Sequence, residues 1–416
     1  MNTTEQMKVI VIGGGAAGLM ASIYAADAGA DVTLIERGNA CGRKLRITGQ
    51  GRCHVSNDCA LQEFLGNVPS NPRFLYSALN FLTTEGTQQF FSERGVPLKV
   101  ERGKRVFPVS DKAEDIVRCL VTACREKGVK IHTGRVQSLL LEEGVLRGVI
   151  TEEETLRSDR VIVATGGMSY PRTGSDGDGY RLAKQVGHTV TPLIPSLVPL
   201  VSRSGICSAL QGLSLKNVAL TVREVGSEKI VYEDFGEMMF THFGLTGPMV
   251  LSASAHLPEI ESGKKKYEAL INLKPALDEK TLDARILGDF KKYQNKDLAN
   301  ALDDLLPKKM IPVAISLSKI PPHKKVNSIT KEERQALMDV IRSLRISLDG
   351  FRSINEAIVT KGGVSVKEIN PKTMDSKLCA GLYFAGEVLD VDAYTGGFNL
   401  QIAFSTGALA GNNAGT

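Results

Sequence analysis

The first regular segment is Lys8-Val9-Ile10-Val11-Ile12, apolar and β-branched after its lysine. A run this short and uninterrupted, ending in glycines, predicts a strand buried on both faces of a parallel sheet. Gly13-Gly14-Gly15-Ala16-Ala17-Gly18 follows at once. Small and apolar residues from Leu19 to Ala28 then predict a helix that Gly29 ends, and Asp31 to Glu36 predicts a second strand. Two later apolar runs, Val161 to Ala164 and Leu382 to Ala385, also stop at glycine and read as further strands of the same kind. Between them the pattern changes. Val136 to Thr151 alternates around Glu143-Gly144 like a hairpin. Asn71-Pro72 opens a helical stretch to about Arg94, and Ser110 and Asp111 cap a helix from Asp111 to Lys127.

Further along, Leu215 to Val225, Lys229 to Phe235 and Tyr267 to Leu273 predict strands. Asp278 to about Ser343 reads as helices broken at Pro307, Pro312, Pro321 and Pro322, with Thr330 and Glu333 forming a capping box. Strand signals return from Glu356 to Val366, and Gly396-Gly397 opens a helix running to about Gly411. The expected fold is α/β. Residues 1–194 and 377–416 form one Rossmann-type domain from both ends of the chain. Residues 195–277 and 344–376 form a β-rich insert, and 278–343 a helical subdomain within it.

Composition narrows this little. A chain of 416 residues suits two or three domains, and 42% hydrophobic residues is ordinary for a globular protein. The net charge of +5 is compatible with an anionic partner without requiring one. Seven cysteines show neither a paired framework nor zinc spacing, so no metal site is expected. With a polar start from Met1 to Met7 and no span-length apolar run, the expectation is a cytoplasmic protein with reduced thiols and no membrane segment.

The chemistry begins at the glycines. Gly13, Gly15 and Gly18 make G-x-G-x-x-G between a strand and a helix. The first permits a tight turn, the second lets a pyrophosphate approach, and the third allows close helix–strand packing. The helix-start amides of Gly15, Ala16 and Ala17 attract the anion. Glu36, 18 residues past Gly18 by difference of numbers, can accept hydrogen bonds from both ribose hydroxyls of an adenosine. Three further stretches favour FAD over NAD. Arg37, then Arg43 and Lys44, then Gly49-Gln50-Gly51-Arg52-Cys53 make a second basic, glycine-rich loop suited to a long ligand. Thr165-Gly166-Gly167 ends one buried strand. Gly386-Glu387 ends another, where Glu387 can hold a ribityl hydroxyl. Beyond it Gly397, Asn399, Leu400 and Gln401 lie at a helix N-terminus that would face the flavin N1–C2=O edge.

The set G-G-G-A-A-G, G-R-K-L-R-I-T-G-Q-G-R-C-H-V-S-N, R-V-F-P-V-S-D-K-A, T-H-F-G-L-T-G-P, T-K-G-G-V and G-E-V-L-D-V-D-A-Y-T-G-G-F-N-L-Q resembles the BaiN/YhiN-type flavoproteins from Lys8 to Gly411. His54 departs from an Asn in that pattern, and Gln50 interrupts a run of three glycines. The resemblance implies an FAD-binding Rossmann domain with a β-barrel-like insert carrying a helical subdomain. It also implies that the hairpin beginning at Val136 flanks the adenine. The implied activity is an NADH- or NADPH-dependent oxidoreductase that transfers hydride to a conjugated C=C. The favoured acceptor is uridine in ribosomal RNA, and a small enone such as an unsaturated oxo-steroid is an alternative. An amine oxidase and a non-catalytic ribosome-docking flavoprotein are further alternatives. No obligatory protein partner is expected.

No C-x-x-C couple accompanies the flavin loop, which sets aside a disulfide-reductase chemistry. Cys53 is the candidate proton donor, on the expectation that Arg52 beside it lowers the thiol pKa. His242, in Thr241-His242-Phe243-Gly244, is the rival acid. Basic clusters at Lys264-Lys265-Lys266, Lys308-Lys309 and His323-Lys324-Lys325 give the insert a candidate RNA-contacting character.

Overall fold

A computed structural model describes residues 6–227, 229–257 and 259–416; the polar first residues 1–5 lie outside the described ones. The chain divides into two compact units, one of Met1–Ser196 with Ile354–Thr416, the other Leu197–Ser353.

The first unit is organised on a five-stranded, all-parallel sheet. Its order is Leu382–Phe384, Arg160–Val163, Lys8–Ile12, Asp31–Glu36, Lys130–Thr133. Val9, Val11, Leu34 and Val161 to Val163 are almost wholly buried, as strands covered on both faces must be. The strand at Leu382 enters this sheet next to Arg160–Val163, so the two ends of the chain share one core.

The N-terminal helix, Ala16–Asp27, and the C-terminal helix, Phe398–Gly415, pack backbone to backbone. A Cβ on Gly407 would stand 2.3 Å from Ala17 O, on Gly411 2.1 Å from Ala21 O, and on Gly415 2.6 Å from Ala25 O. Glycine every fourth residue on one helix therefore meets alanine every fourth residue on the other. The pairing runs in the same direction along both helices, so they are parallel.

Around this core the local elements differ from the sequence pattern at three places. The expected helix from Asn71 to Arg94 is divided into Pro72–Leu75, Tyr76–Phe81 and Thr84–Glu93. Leu82 is extended and Thr83 caps the next helix through Gly86 N. The helix expected from Asp111 starts at Ala113 without a side-chain cap. Asp111 has φ 57° and spends its carboxylate on Arg52 and Lys99 instead. The strand signals from 356 to 366 yield only Val359–Lys361, which pairs with Ile194–Ser196. The hairpin Val136–Glu142 and Val145–Thr151 turns at Glu143 and Gly144, both at positive φ.

The second unit holds a seven-stranded antiparallel sheet. Its order is Leu344–Leu348, Tyr267–Asn272, Ser214–Glu224, Ile230–Thr241, Gly244–Thr246, Leu200–Val201, Gly350–Phe351. Its two outermost strands are separated in sequence by Asp349 alone, so the sheet wraps round on itself as a barrel does. Helices Glu279–Lys292, Met310–Ser318 and Lys331–Arg342 are inserted between two of its strands, and the Thr330–Glu333 capping box is formed.

Candidate cofactor site

The turn after the first strand separates the three glycines by their surroundings. A Cβ on Gly13 would lie 2.6 Å from Ala164 O, and one on Gly18 only 1.8 Å from Gly13 O. Gly13 is also at φ 103°. Both positions are closed to any side chain. Around Gly15 nothing lies within 4 Å, and Gly15 caps the helix without a side-chain acceptor. The amides of the first helical turn thus face open space, the condition for an anion. Glu36, at the end of the second strand, accepts from Gly14 N and Gly38 N at 2.7 Å each. The carboxylate is half-buried and anchored, with lone pairs left for a ribose.

A second cluster stands where the strands Arg160–Val163 and Leu382–Phe384 end. Lys44 Nζ donates to Glu387 Oε2 and to Ser169 Oγ, both at 2.6 Å. Ser169 Oγ and Thr360 N donate to Glu387 Oε1 at 2.9 Å. A Cβ on Gly167 would lie 2.5 Å from Thr360 Oγ1, and Gly386, at φ 78°, has Ala17 Cβ within 2.7 Å of such an atom. Gly166 is likewise at positive φ. Thr165 Oγ1 is buried and has no hydrogen-bond partner. The glycines here are set by close packing, and the threonine hydroxyl awaits a partner.

The third wall is the turn after Thr48. Gly49, Gln50, Gly51 and Cys53 all have positive φ, at 57°, 59°, 87° and 61°. Residues 56 and 57 then meet the start of the C-terminal helix. Asn57 Nδ2 donates to Gly396 O at 3.0 Å, and a Cβ on Gly397 would lie 2.2 Å from Ser56 O. Gly397 caps that helix without a side chain, leaving a second set of free amides.

The two helix N-termini have a fixed offset. Ala17 lies opposite Gly407, so the C-terminal helix continues from Gly407 back to Phe398, about 12 Å beyond the start of its partner at 1.5 Å per residue. One anion-favouring end is therefore placed well past the other along the same direction. FAD carries a pyrophosphate and, beyond a ribityl chain, an isoalloxazine edge that gains negative charge on reduction. The residues fit it: an open Gly15, an anchored Glu36, and two helix N-termini without side-chain caps.

Several expected site residues are otherwise engaged. Arg37 pairs with Asp176 and Asp178, and Arg43 donates to Arg172 O at 2.8 Å, so both cations hold the 172–178 loop. Arg52 is bound to Glu101 and Asp111. Val136 is buried and its carbonyl accepts from Arg181. Asn399 brackets Ala393 with both amide atoms, and Leu400 is half-buried. Gln401 is corrected from cofactor contact to framework. It is fully buried, accepts from Ser56 Oγ at 2.6 Å, and donates to Leu82 O, Thr83 O, Thr87 Oγ1 and Ser405 Oγ.

The premise for Cys53 as an acid is also overturned. Cys53 is fully buried, and burial pushes its thiol up to about 12, against a smaller opposing effect from Thr48. Arg52 is bound by two carboxylates, and its charge is not among the causes that shift the thiol. His242 is exposed at the turn between two strands of the second unit. All seven cysteines are buried and free.

Part of each basic cluster of the insert is engaged. Lys265 reaches Glu224 and Glu259, Lys324 meets Glu333, Lys325 and His323 meet Asp297, and Lys309 donates to Gln211 O. Among the described residues no group of three or more His, Cys, Asp or Glu is arranged to hold a metal, and no helix is long and apolar enough to cross a membrane.

Residues 7–413 match the family described as HI0933-like protein Rossmann domain. The chain is 32% identical over 414 residues to a 3-dehydro-bile acid delta(4,6)-reductase of Clostridium scindens, covering 98% of both chains. It is 31% identical over 405 residues to a ribosomal RNA dihydrouridine synthase of Escherichia coli, covering 97% of this chain and 96% of that one. Among solved structures, a 3-ketosteroid delta1-dehydrogenase from Sterolibacterium denitrificans superposes with a TM-score of 0.53 at 13% identity, over 98% of this chain and 99% of that one. That likeness is one of fold.

Proposed function

Because the chain belongs to the HI0933-like Rossmann-domain family, a family of FAD-dependent oxidoreductases, we propose that it takes hydride from NADH or NADPH and delivers it to a conjugated C=C bond. The observation that carries this reading is the parallel helix pair, which fixes two uncapped N-termini at an offset suited to one FAD. Bound FAD supplies the hydride acceptor and donor. The protein's part is binding and electrostatics. Gly15 and the first helical turn hold the pyrophosphate, and Glu36 the adenosine ribose. Lys44 and Glu387, already bonded to each other, hold the ribityl region. With FAD bound, the free amides at the start of the helix from Phe398 would favour negative charge at the flavin's pyrimidine edge. No second G-x-G-x-x-G lies in a strand context, so the nicotinamide docks transiently.

The acceptor this reading favours is a small enone of the unsaturated oxo-steroid class. It rests on the Clostridium scindens relative, which is 32% identical over 98% of both chains. The second reading, uridine in ribosomal RNA, rests on the relatives from Escherichia coli and Haemophilus influenzae.

The test is anaerobic and has two steps. NADH or NADPH should bleach the flavin. An unsaturated 3-oxo-steroid should then restore its colour with saturation of the alkene. Restoration by dihydrouridine-free ribosomal RNA alone would establish the second reading. Bleaching by neither nicotinamide, or restoration by neither acceptor, would overturn the proposal.

A further inference from the structure

His54 carries a buried ring nitrogen, Nε2, that has no hydrogen-bond partner. Leaving a buried polar atom unpaired is costly, so such an atom points to a missing partner. Its placement is well defined. Gly49 and His54 are in close approach, since a Cβ on Gly49 would lie 3.3 Å from His54 N. The imidazole lies against Phe107 with ring centroids 4.2 Å apart and a tilt of 32°. The next residues run directly to the C-terminal helix: Val55 N donates to Val106 O, Ser56 Oγ to Gln401, and Asn57 to Gly396 O. In the chain His54 thus lies between the left-handed turn at 49–53 and residues 56–57, which meet the uncapped start of that helix. These are the two segments that line the flavin end of the cradle.

The ring is neutral at physiological pH. Burial first, and then the Arg105 and Arg52 charges, hold its pKa down at about 4 against the weaker pull of Glu101. A neutral imidazole has one N–H and one lone pair. Two residues before the segment that meets a helix N-terminus favouring negative charge, the arrangement that adds to that effect puts the proton on Nε2.

We infer that His54 Nε2–H donates a hydrogen bond to a carbonyl on the pyrimidine edge of the isoalloxazine and so raises the reduction potential of the bound flavin. The inference rests on the FAD reading above. It makes His54 a positioning and tuning residue for the cofactor and does not make it the substrate's acid. A purely structural role, packing on Phe107, predicts none of the spectroscopic consequences below.

The experiment uses the full chain labelled with ¹⁵N-histidine. The His54 resonances are those missing from His54→Asn. On adding FAD to apoprotein, the His54 Nε2 signal should move and report a protonated, hydrogen-bonded nitrogen. In His54→Phe, which keeps a ring against Phe107, reduced flavin should be held about tenfold less tightly relative to oxidised flavin. That corresponds to a two-electron potential lower by about 30 mV. His54→Asn, with an amide donor, should recover part of the shift. An Nε2 signal unmoved by FAD, or a wild-type potential and visible spectrum in both variants, overturns the inference while leaving the FAD reading standing. If His54→Phe does not fold, the labelled wild-type protein and His54→Asn decide alone. Wild-type apoprotein that takes up no FAD would fail the underlying reading first, and this inference with it.

Discussion

At the adenosine end of the cradle the chain's own groups are already engaged. Glu36 is held by the amides of Gly14 and Gly38, and Gly13 and Gly18 are pressed against neighbouring backbone. At the flavin end the backbone holds four consecutive-turn residues at positive φ, two of them not glycine, and leaves His54 Nε2 unpaired. A non-glycine residue in this region costs roughly 1 kcal/mol or more and persists where surrounding structure holds it. The first end is a general nucleotide platform set by strand–turn–helix register. The second leaves a buried ring nitrogen unpaired beside a strained turn, which the proposed cofactor would complete. Affinity is expected to reside at the first end and tuning of the chemistry at the second.

The largest effect should come from breaking the element that joins the two ends. In Gly411→Val even the Cβ would stand 2.1 Å from Ala21 O, backbone that cannot retreat cheaply. Overpacking of this kind costs about 3 kcal/mol. Chemical denaturation should show the loss, and FAD should be lost with it. A variant of unchanged stability that retains FAD would mean the helix pair does not fix the site.

Next is the adenosine end. Glu36→Ala should weaken FAD binding by about 1–3 kcal/mol through lost charge-assisted hydrogen bonds. Titration of apoprotein with FAD measures it, and unchanged affinity in a folded variant would place the adenosine elsewhere.

A smaller effect follows from the half-buried His54. The folded-state pKa of His54 is depressed from 6.5 to about 4 by burial, Arg105 and Arg52. Between these values the unfolded chain binds a proton that the fold does not, so stability rises with pH across the window and falls as pH drops through it. His188, also lowered mainly by burial, acts in the same direction. Apoprotein His54→Phe should therefore lose less stability than wild type between pH 6.5 and 4.5. Parallel profiles would mean the imidazole is not held neutral.

The smallest effect is expected at Cys53. Its thiol is fully buried and its pKa is pushed up to about 12. Cys53→Ser should leave reoxidation of reduced flavin by the alkene within about threefold of wild type, since removing an acid that acts in the reaction costs 10²–10⁴-fold. Stopped-flow reoxidation slowed a hundredfold would restore the thiol to the mechanism.

Much of this cradle was readable from local pattern. The strand, the three glycines, the helix and Glu36 lie within 30 residues, and each has its own short-range signal. The joining of the two chain ends was readable as well, because both bear strands that stop at glycine. What escaped was set by tertiary partners. Arg52 looks like a free cation beside Cys53 until Glu101 and Asp111, roughly fifty residues away, take up its charge. Gln401 looks like a cofactor contact beside Asn399 until Ser56 and Thr87 surround it. The helix pairing had a usable signal, glycine at 407, 411 and 415 against alanine at 17, 21 and 25. It becomes legible only when the two periodicities are compared across the whole chain.

The central claim is that both ends of the chain hold one FAD, and its most direct test is the cofactor itself. The full-length protein, purified without added flavin or reconstituted with excess FAD and desalted, should be yellow. Acid or heat should release intact FAD at about one per chain, with no flavin left covalently attached. Release of FMN, or of no flavin after reconstitution, would contradict the account.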